Sequence, residues 1–347
     1  MDGGPAVLFI RFSSLGDVVL ATPAVRSLKT ARPGARITFL TKDLYRPLLE
    51  GNPAIDRVVG FRDSGGSGGL VSLCRLCRSL GPFDAVIDLH GSLRSRIAAA
   101  SVRAARRLRY RKSSLERRLW VMGWMRGTLA HGGRHVVDRY LDTLEAMGVP
   151  PGRGRPEVFI SDREMKEASD FLSGAGVRDP GRVAVIAPGA RWPNKRWPAG
   201  KFARLGEWLV SEKGLELVIA GDRKDRPVVD ELRKQLAVAS ADISGRTELR
   251  ELGAVLRGAR IFIGNDSGPG HLAAAVGTPV VTVFGPTSEA FGFPPRGERV
   301  RSVSLPLECR PCSLHGGRRC SRGRRACLDD LEPGAVIRAA EEVLETP

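Results

Sequence analysis

Asp266, Ser267 and His271 bring a carboxylate, a hydroxyl and an imidazole into one short segment of the stretch IFIGNDSGPGHLAAAVGTPVVTVFGP, residues 261–286. Glycines at 264, 268 and 270 let a backbone approach a ligand and take dihedrals closed to other residues. The flanking apolar runs read as a buried strand over 261–263 and a second over 280–284, with a helix opening near His271. Such a helix points free N–H groups and the positive end of its dipole into the glycine loop, which makes an anion site. A phosphate or diphosphate is the natural occupant. The hexad 268–273 also fits G-x-G-x-x-A, but the next strand ends in Phe284-Gly285-Pro286 and the nearest acid, Glu289, lies past the turn. That excludes a nicotinamide site, which needs the acid at the strand end.

Two other places carry candidate chemistry. Asp17 follows a first apolar strand, 6–12, in the turn Ser13-Ser14-Leu15-Gly16-Asp17. It stands where a helix N-cap belongs, and also at the strand end where open α/β sheets hold their ligands. The loop APGARWPNKRWP, 187–198, sets Arg191, Lys195 and Arg196 among rigid aromatics and prolines, able to meet the same phosphate as His271.

The elements that must position these residues alternate strand and helix twice along the chain. A length of 347 residues suggests two domains, and the Pro/Gly/Arg run 150–156 is the natural linker. The expected fold class is α/β, with two doubly wound parallel-sheet (Rossmann-like) domains facing across a cleft. The first spans 1–155 and the second 156–347, with a final helix from about 332 to 344 free to pack back on the N-terminal domain.

The start lacks the long apolar run of a signal peptide and no stretch is long enough to span a bilayer, which points to the cytoplasm. The net charge of +17 is concentrated: residues 91–139 hold 13 Lys/Arg against Glu116 and Asp138. Such a block attracts polyanions or an anionic membrane face. A nucleic-acid reader remains the alternative on charge, without a recognisable reading motif. Cys74 and Cys77 fall on an apolar helix face and read as core. Cys309, Cys312, Cys320 and Cys327, among six arginines and no acid, read as a structural zinc tetrad or as redox-active thiols. Thiols beside so many cations are expected to ionise readily.

With these pieces in place, the chain resembles glycosyltransferase family 9, the ADP-heptose:lipopolysaccharide heptosyltransferases. FSSLGDVVLATPAVRSLK, FDAVIDLHGSLRS, PGARWPNKRWP, AGDRKD and GNDSGPGHLAAAVGTPVVTVFGPT carry the resemblance, in the family's order. It implies a GT-B fold and inverting transfer that needs no metal or other cofactor. The implied donor is ADP-heptose, and the acceptor an acidic lipid A–Kdo at the cytoplasmic face of the inner membrane. It further implies Asp17 as general base, and Lys195, Asp266, Ser267, Gly268 and His271 on the donor diphosphate. Asp225 would meet the ribose, Thr247 the adenine, and Arg11 and Arg94 the acceptor. A monomer is expected. The alternatives are a family member using another nucleotide sugar or acceptor, and one that binds a nucleotide sugar without turnover.

Overall fold

Runs of Val, Ile, Leu and Phe too short to be helices recur along the chain, and in the computed structural model they pair into two parallel sheets. It describes residues 4–63, 65–123, 133–150 and 154–346. In chain order the first elements are β1 (Ala6–Ile10), α1 (Leu15–Val19), α2 (Thr22–Ala31), β2 (Arg36–Lys42), β3 (Arg57–Phe61) and α3 (Gly66–Ser79). Next come β4 (Phe83–Asp88), α4 (Leu93–Ser101), β5 (Ala104–Arg109), α5 (Ser114–Val121) and α6 (Val136–Asp142). The strands order as β3-β2-β1-β4-β5. Leu8, Ile10, Leu40 and Val86 are wholly buried between the sheet and its helices, each contributing roughly 1.5–3 kcal/mol by leaving water. Cys77 joins this core, where burial pushes its thiol up to about 12.

The later elements are α7 (Asp162–Gly174), β6 (Val183–Ala187), α8 (Ala199–Ser211), β7 (Glu216–Ile219), α9 (Arg226–Gln235), β8 (Ser240–Asp242) and α10 (Leu249–Gly258). They close with β9 (Ile261–Asn265), α11 (Gly268–Ala275), β10 (Val280–Val283), β11 (Val300–Val303), α12 (Ala326–Asp329) and α13 (Pro333–Glu345). This sheet orders as β11-β10-β9-β6-β7-β8. The closing helix buries its apolar face within this unit: Val336, Ala340 and Val343 are buried with Val281, Val283 and Leu328.

Each sheet belongs to one compact unit, Met1–Ser113 with Arg134–Phe159 and Ser114–Gly133 with Ile160–Pro347. The second unit thus takes its first piece from the middle of the first. In that piece Trp120 stands edge-on to Phe291 at 5.4 Å, and Arg117 lies 5.0 Å over the Phe293 ring. Part of the expected linker, 151–153, lies outside the described residues.

Three strands differ from expectation. No apolar run in the sequence announces β5, β8 or β11. Each lies at a sheet edge, where one covered side suffices and the apolar signal is weak. Arg107 of β5 also donates to the carbonyls of Ala99 and Val102, capping the end of α4, and to Ala104 O.

Candidate active site

In both sheets the strand order reverses between the first strand and its fourth, which is where open α/β sheets leave a crevice. In the second unit that pair is β6 and β9, registered at Ala187 and Gly264. Asn265, wholly buried at the end of β9, ties down the loop after β6. Its Nδ2 donates to Pro188 O at 2.8 Å, and its Oδ1 accepts from the Trp197 N–H at 2.9 Å. That loop delivers Lys195, whose Nζ lies 2.6 Å from Asp266 Oδ2. The Thr287 hydroxyl donates to the same oxygen at 2.8 Å. Ser267 is the N-cap residue of α11, yet its hydroxyl makes no cap bond and is buried without a hydrogen-bond partner. Gly268 opens the helix, and His271 sits in its first turn, 8 % exposed. None of Gly264, Gly268 and Gly270 takes a positive φ; their lack of a side chain provides room rather than unusual dihedrals.

Asp225 stands nearby, after β7. It accepts from the Asp222 N–H at 3.1 Å, and Arg196 NH2 lies 3.8 Å away. Burial raises its pKa despite that bond and Arg196, with the neighbouring Asp222 charge adding to the rise. A Cβ at Gly189 would fall 2.2–2.4 Å from the Asp225 carboxyl, so only glycine fits there. Thr247 follows the loop after β8, which joins Asp225's loop through Gly245 N–H to Gly221 O at 2.9 Å. The second unit therefore gathers Lys195, Asp266, Ser267, Gly268 and His271 at one strand pair, with Asp225 and Thr247 at the strand ends alongside.

In the first unit the reversal lies between β1 and β4, registered at Ile10 and Asp88. Arg11 leaves β1 and donates to Leu89 O at 2.7 Å; its NH2 reaches Asp17 Oδ1 at 2.7 Å. Asp17 is not the N-cap. Ser14 is, and Asp17 sits three residues on, accepting from Ser14 N (3.0 Å) and Ser14 Oγ (2.9 Å). Burial pushes the Asp17 carboxyl up, but Arg11 and the Ser14 bonds outweigh it and hold it below the usual carboxylate range. Arg94 pairs with Asp63, which also takes Lys42 Nζ at 2.6 Å. The bonds from Lys42 and Arg94 draw Asp63 down to about 2.

Arg94 lies 5.6 Å over the Phe61 ring, Phe61 meets Phe12 edge-on at 4.8 Å, and Phe12 meets His90 at 5.2 Å. Burial, with Arg11 and Lys112 adding, pushes His90 down to about 3, so it is neutral. Arg11 Nε, Arg94 Nε and NH2, and His90 Nδ1 are buried without hydrogen-bond partners. Buried polar groups are rarely left so unless something else is meant to meet them. An ionised carboxylate beside unpaired cationic donors suits an acidic, hydroxylated ligand.

Residues 73–318 match the model of glycosyltransferase family 9 (heptosyltransferase). The chain belongs to glycosyltransferase family 9. It is 30 % identical over 294 residues to lipopolysaccharide heptosyltransferase 3 of Escherichia coli K12, covering 80 % of this chain and 82 % of that relative. Among solved structures it is similar to a family 9 glycosyltransferase from Veillonella parvula, with a TM-score of 0.80 at 24 % identity over 98 % of this chain and 97 % of that one. The E. coli ADP-heptose lipopolysaccharide heptosyltransferase II gives a TM-score of 0.75 at 22 % identity over 98 % of both chains. This family 9 member thus has the expected GT-B class of fold, with two parallel α/β sheets.

Lys42, Asp63, His90, Asn265 and Thr287 enter the two sites without having been singled out as site residues. His90 and Thr287 do lie in the stretches DLHG and FGPT that carry the family resemblance.

Among the described residues no group of three or more His, Cys, Asp or Glu side chains is disposed to hold a metal ion, and the cysteines are free. Cys327 is packed into the hydrophobic core, and Cys320 Sγ is engaged by Arg322 N and Arg324 O. Two of the thiols depart from the expected ready ionisation: burial raises Cys312, and pushes Cys327 up to about 11. A groove of about 850 Å³ between α8, α9 and α12 is bordered by Pro193 and Arg196 of the lysine loop, and its Lys201 is bonded to Asp329 O, Leu331 O and Glu332.

Proposed function

We propose that this chain transfers a heptose from ADP-heptose to the inner core of lipopolysaccharide, with lipid A–Kdo or an already heptosylated sugar as acceptor. The carrying observation is the Lys195–Asp266 pair at the β6/β9 reversal, beside the unpartnered Ser267 hydroxyl at the start of α11. The family's description as heptosyltransferases, the lipopolysaccharide heptosyltransferase 3 relative and the structural neighbour named for ADP-heptose support it.

On this reading the donor diphosphate meets Lys195, Ser267, His271 and the N–H groups at Gly268, while Asp225 takes the ribose hydroxyls and Thr247 the adenine. Arg11 and Arg94 bind the acidic groups of the acceptor. Asp17 accepts the proton of the acceptor hydroxyl as its oxygen bonds to the anomeric carbon and the carbon–oxygen bond to ADP breaks, inverting the centre. A general base contributes ~10²–10⁴-fold. Lys195 and the α11 dipole offset the charge that develops on departing ADP, the electrostatic service a divalent ion gives other transferases. The enzyme would work without a metal, as a monomer at the cytoplasmic face of the inner membrane, with the arginine block against anionic lipid. Among the described residues no helix is long and apolar enough to cross a membrane.

A thermal-shift comparison of ADP-, UDP-, GDP- and CMP-linked sugars tests the donor, because a ligand of the folded state raises its melting temperature. The ADP-linked sugar alone should stabilise, and transfer should survive excess EDTA. Stabilisation by another nucleotide sugar instead, or EDTA-abolished transfer restored by magnesium, would overturn the reading.

A further inference from the structure

Lys195 and Thr287 stand on loops, and one further segment, 310–317, contacts both of them. Arg310, its side chain 9 % exposed, spans the turn after β10: Nε donates to Gly285 O at 2.5 Å, NH1 to Leu305 O at 2.6 Å, and NH2 to Thr287 O at 2.9 Å. NH2 also reaches Glu289 at 3.3 Å. The backbone N–H groups of Cys312 and Ser313 both donate to Pro286 O, at 3.0 and 3.2 Å. The hydroxyl of the Thr287 held in this way donates to Asp266.

The same segment then crosses to the lysine loop. Gly317 N–H donates to Asn194 Oδ1 at 2.7 Å, and Asn194 N–H returns a bond to Gly317 O at 3.3 Å, with Asn194 6 % exposed. Gly316 lies flat on the lysine itself. A Cβ there would stand 2.8 Å from Lys195 Cγ and Cδ, and its φ of +94° is one that residues with side chains rarely adopt. A loosely solvated basic tail would make none of these contacts; Arg322, further along, is exposed.

We propose that the segment from Arg310 to Gly317 is a positioning clamp for the donor diphosphate site. Arg310 sets Thr287 and through it Asp266, and Gly316 sets the stem of Lys195. The ammonium–carboxylate geometry that a diphosphate meets is thus fixed by residues that touch no substrate. The proposal rests on Lys195 being the donor-phosphate residue.

Calorimetric titration with ADP and with adenosine, on the full chain, tests it. Arg310→Gln and Gly316→Ala should weaken ADP by about ten- to a hundred-fold, since misplacement of this order is what a small shift of a binding group costs. Adenosine affinity should stay within about two-fold, Arg310→Lys should fall between Arg310→Gln and the native protein, and Arg322→Ala should change nothing. Because Gly316→Ala risks misfolding, binding is counted per folded molecule, and the Arg310 pair stands as the independent arm. Equal loss of ADP and adenosine would mean a merely structural role and overturn the clamp. So would unchanged ADP affinity in Arg310→Gln while Lys195→Ala loses it. If Lys195→Ala itself binds ADP normally, the assignment of the donor site fails instead.

Discussion

Replacing Asp17 by Asn removes one charge and keeps the shape, which makes it the sharpest test of the general base. The amide oxygen can still accept from Ser14 N and Ser14 Oγ, now at 3.0 and 2.9 Å, so the turn into α1 survives. What is lost is the 2.7 Å pair with Arg11, whose side chain is 6 % exposed. Breaking a buried pair costs about 3–5 kcal/mol. The lower figure applies here, because Arg11 keeps Leu89 O and lies 5.8 Å over the Tyr140 ring. Even from about 5 kcal/mol, the bottom of the usual stability range, a loss of ~3 leaves ~2 kcal/mol and only about 3 % of the molecules unfolded. Unfolding therefore removes a few per cent of the activity, whereas loss of a base removes ~10²-fold or more. Transfer from radiolabelled ADP-heptose to a Kdo–lipid A acceptor, at saturation and beside calorimetric ADP binding, separates the two. Asp17→Asn should lose turnover while ADP affinity stays within a few-fold. Turnover near the native value with a verified acceptor would refute the assignment.

Arg11→Met should leave the burial of Asp17 opposed by the Ser14 bonds alone and raise its carboxyl, moving the acid limb of the pH–rate profile to higher pH; a limb that stays put would show that Arg11 does not tune the base. Glu164, bonded to Arg250 and the Ser161 turn, is drawn down to about 2. Its stabilisation should be complete above ~4.3 and lost as pH falls toward 2, so Glu164→Gln should lower the melting temperature at pH 6 and hardly at all at pH 2. An equal drop at both would refute the linkage. Binding to anionic vesicles should fall steeply with salt, because surface charge is screened beyond ~8 Å at physiological ionic strength; equal binding to neutral vesicles would remove the electrostatic account.

The central strands were legible because burial on both faces leaves a nearly pure apolar run, as in β1 and β9. β5 was not legible: in AARRLR, Arg107 spends its guanidinium on the carbonyls of Ala99, Val102 and Ala104, a use of charge that no periodicity announces. The turn at Asp17 misled by three residues, since Ser14 and Asp17 are both good capping residues and only the backbone decides which one starts the helix. Lys195 and Asp266 could be matched to a phosphate by residue type. The bonds that lock them run from Arg310 to Gly285 and Thr287 across a loop, and from Gly317 to Asn194 across 123 positions, beyond the reach of local pattern. Asp225 and Thr247 had no local signal of a role at all; only the family resemblance pointed to them.

The interruption of the first unit by Ser114–Gly133 bears on how such enzymes can be recombined. A crossover at the apparent linker looks like a clean exchange of acceptor half for donor half between two relatives. It is not, because a chimera joined near residue 160 would set one parent's Trp120 and Arg117 against the other's Phe291 and Phe293. Lineages that trade donor halves intact must carry this excursion along. Its ancestry should follow the second unit although it is encoded inside the first.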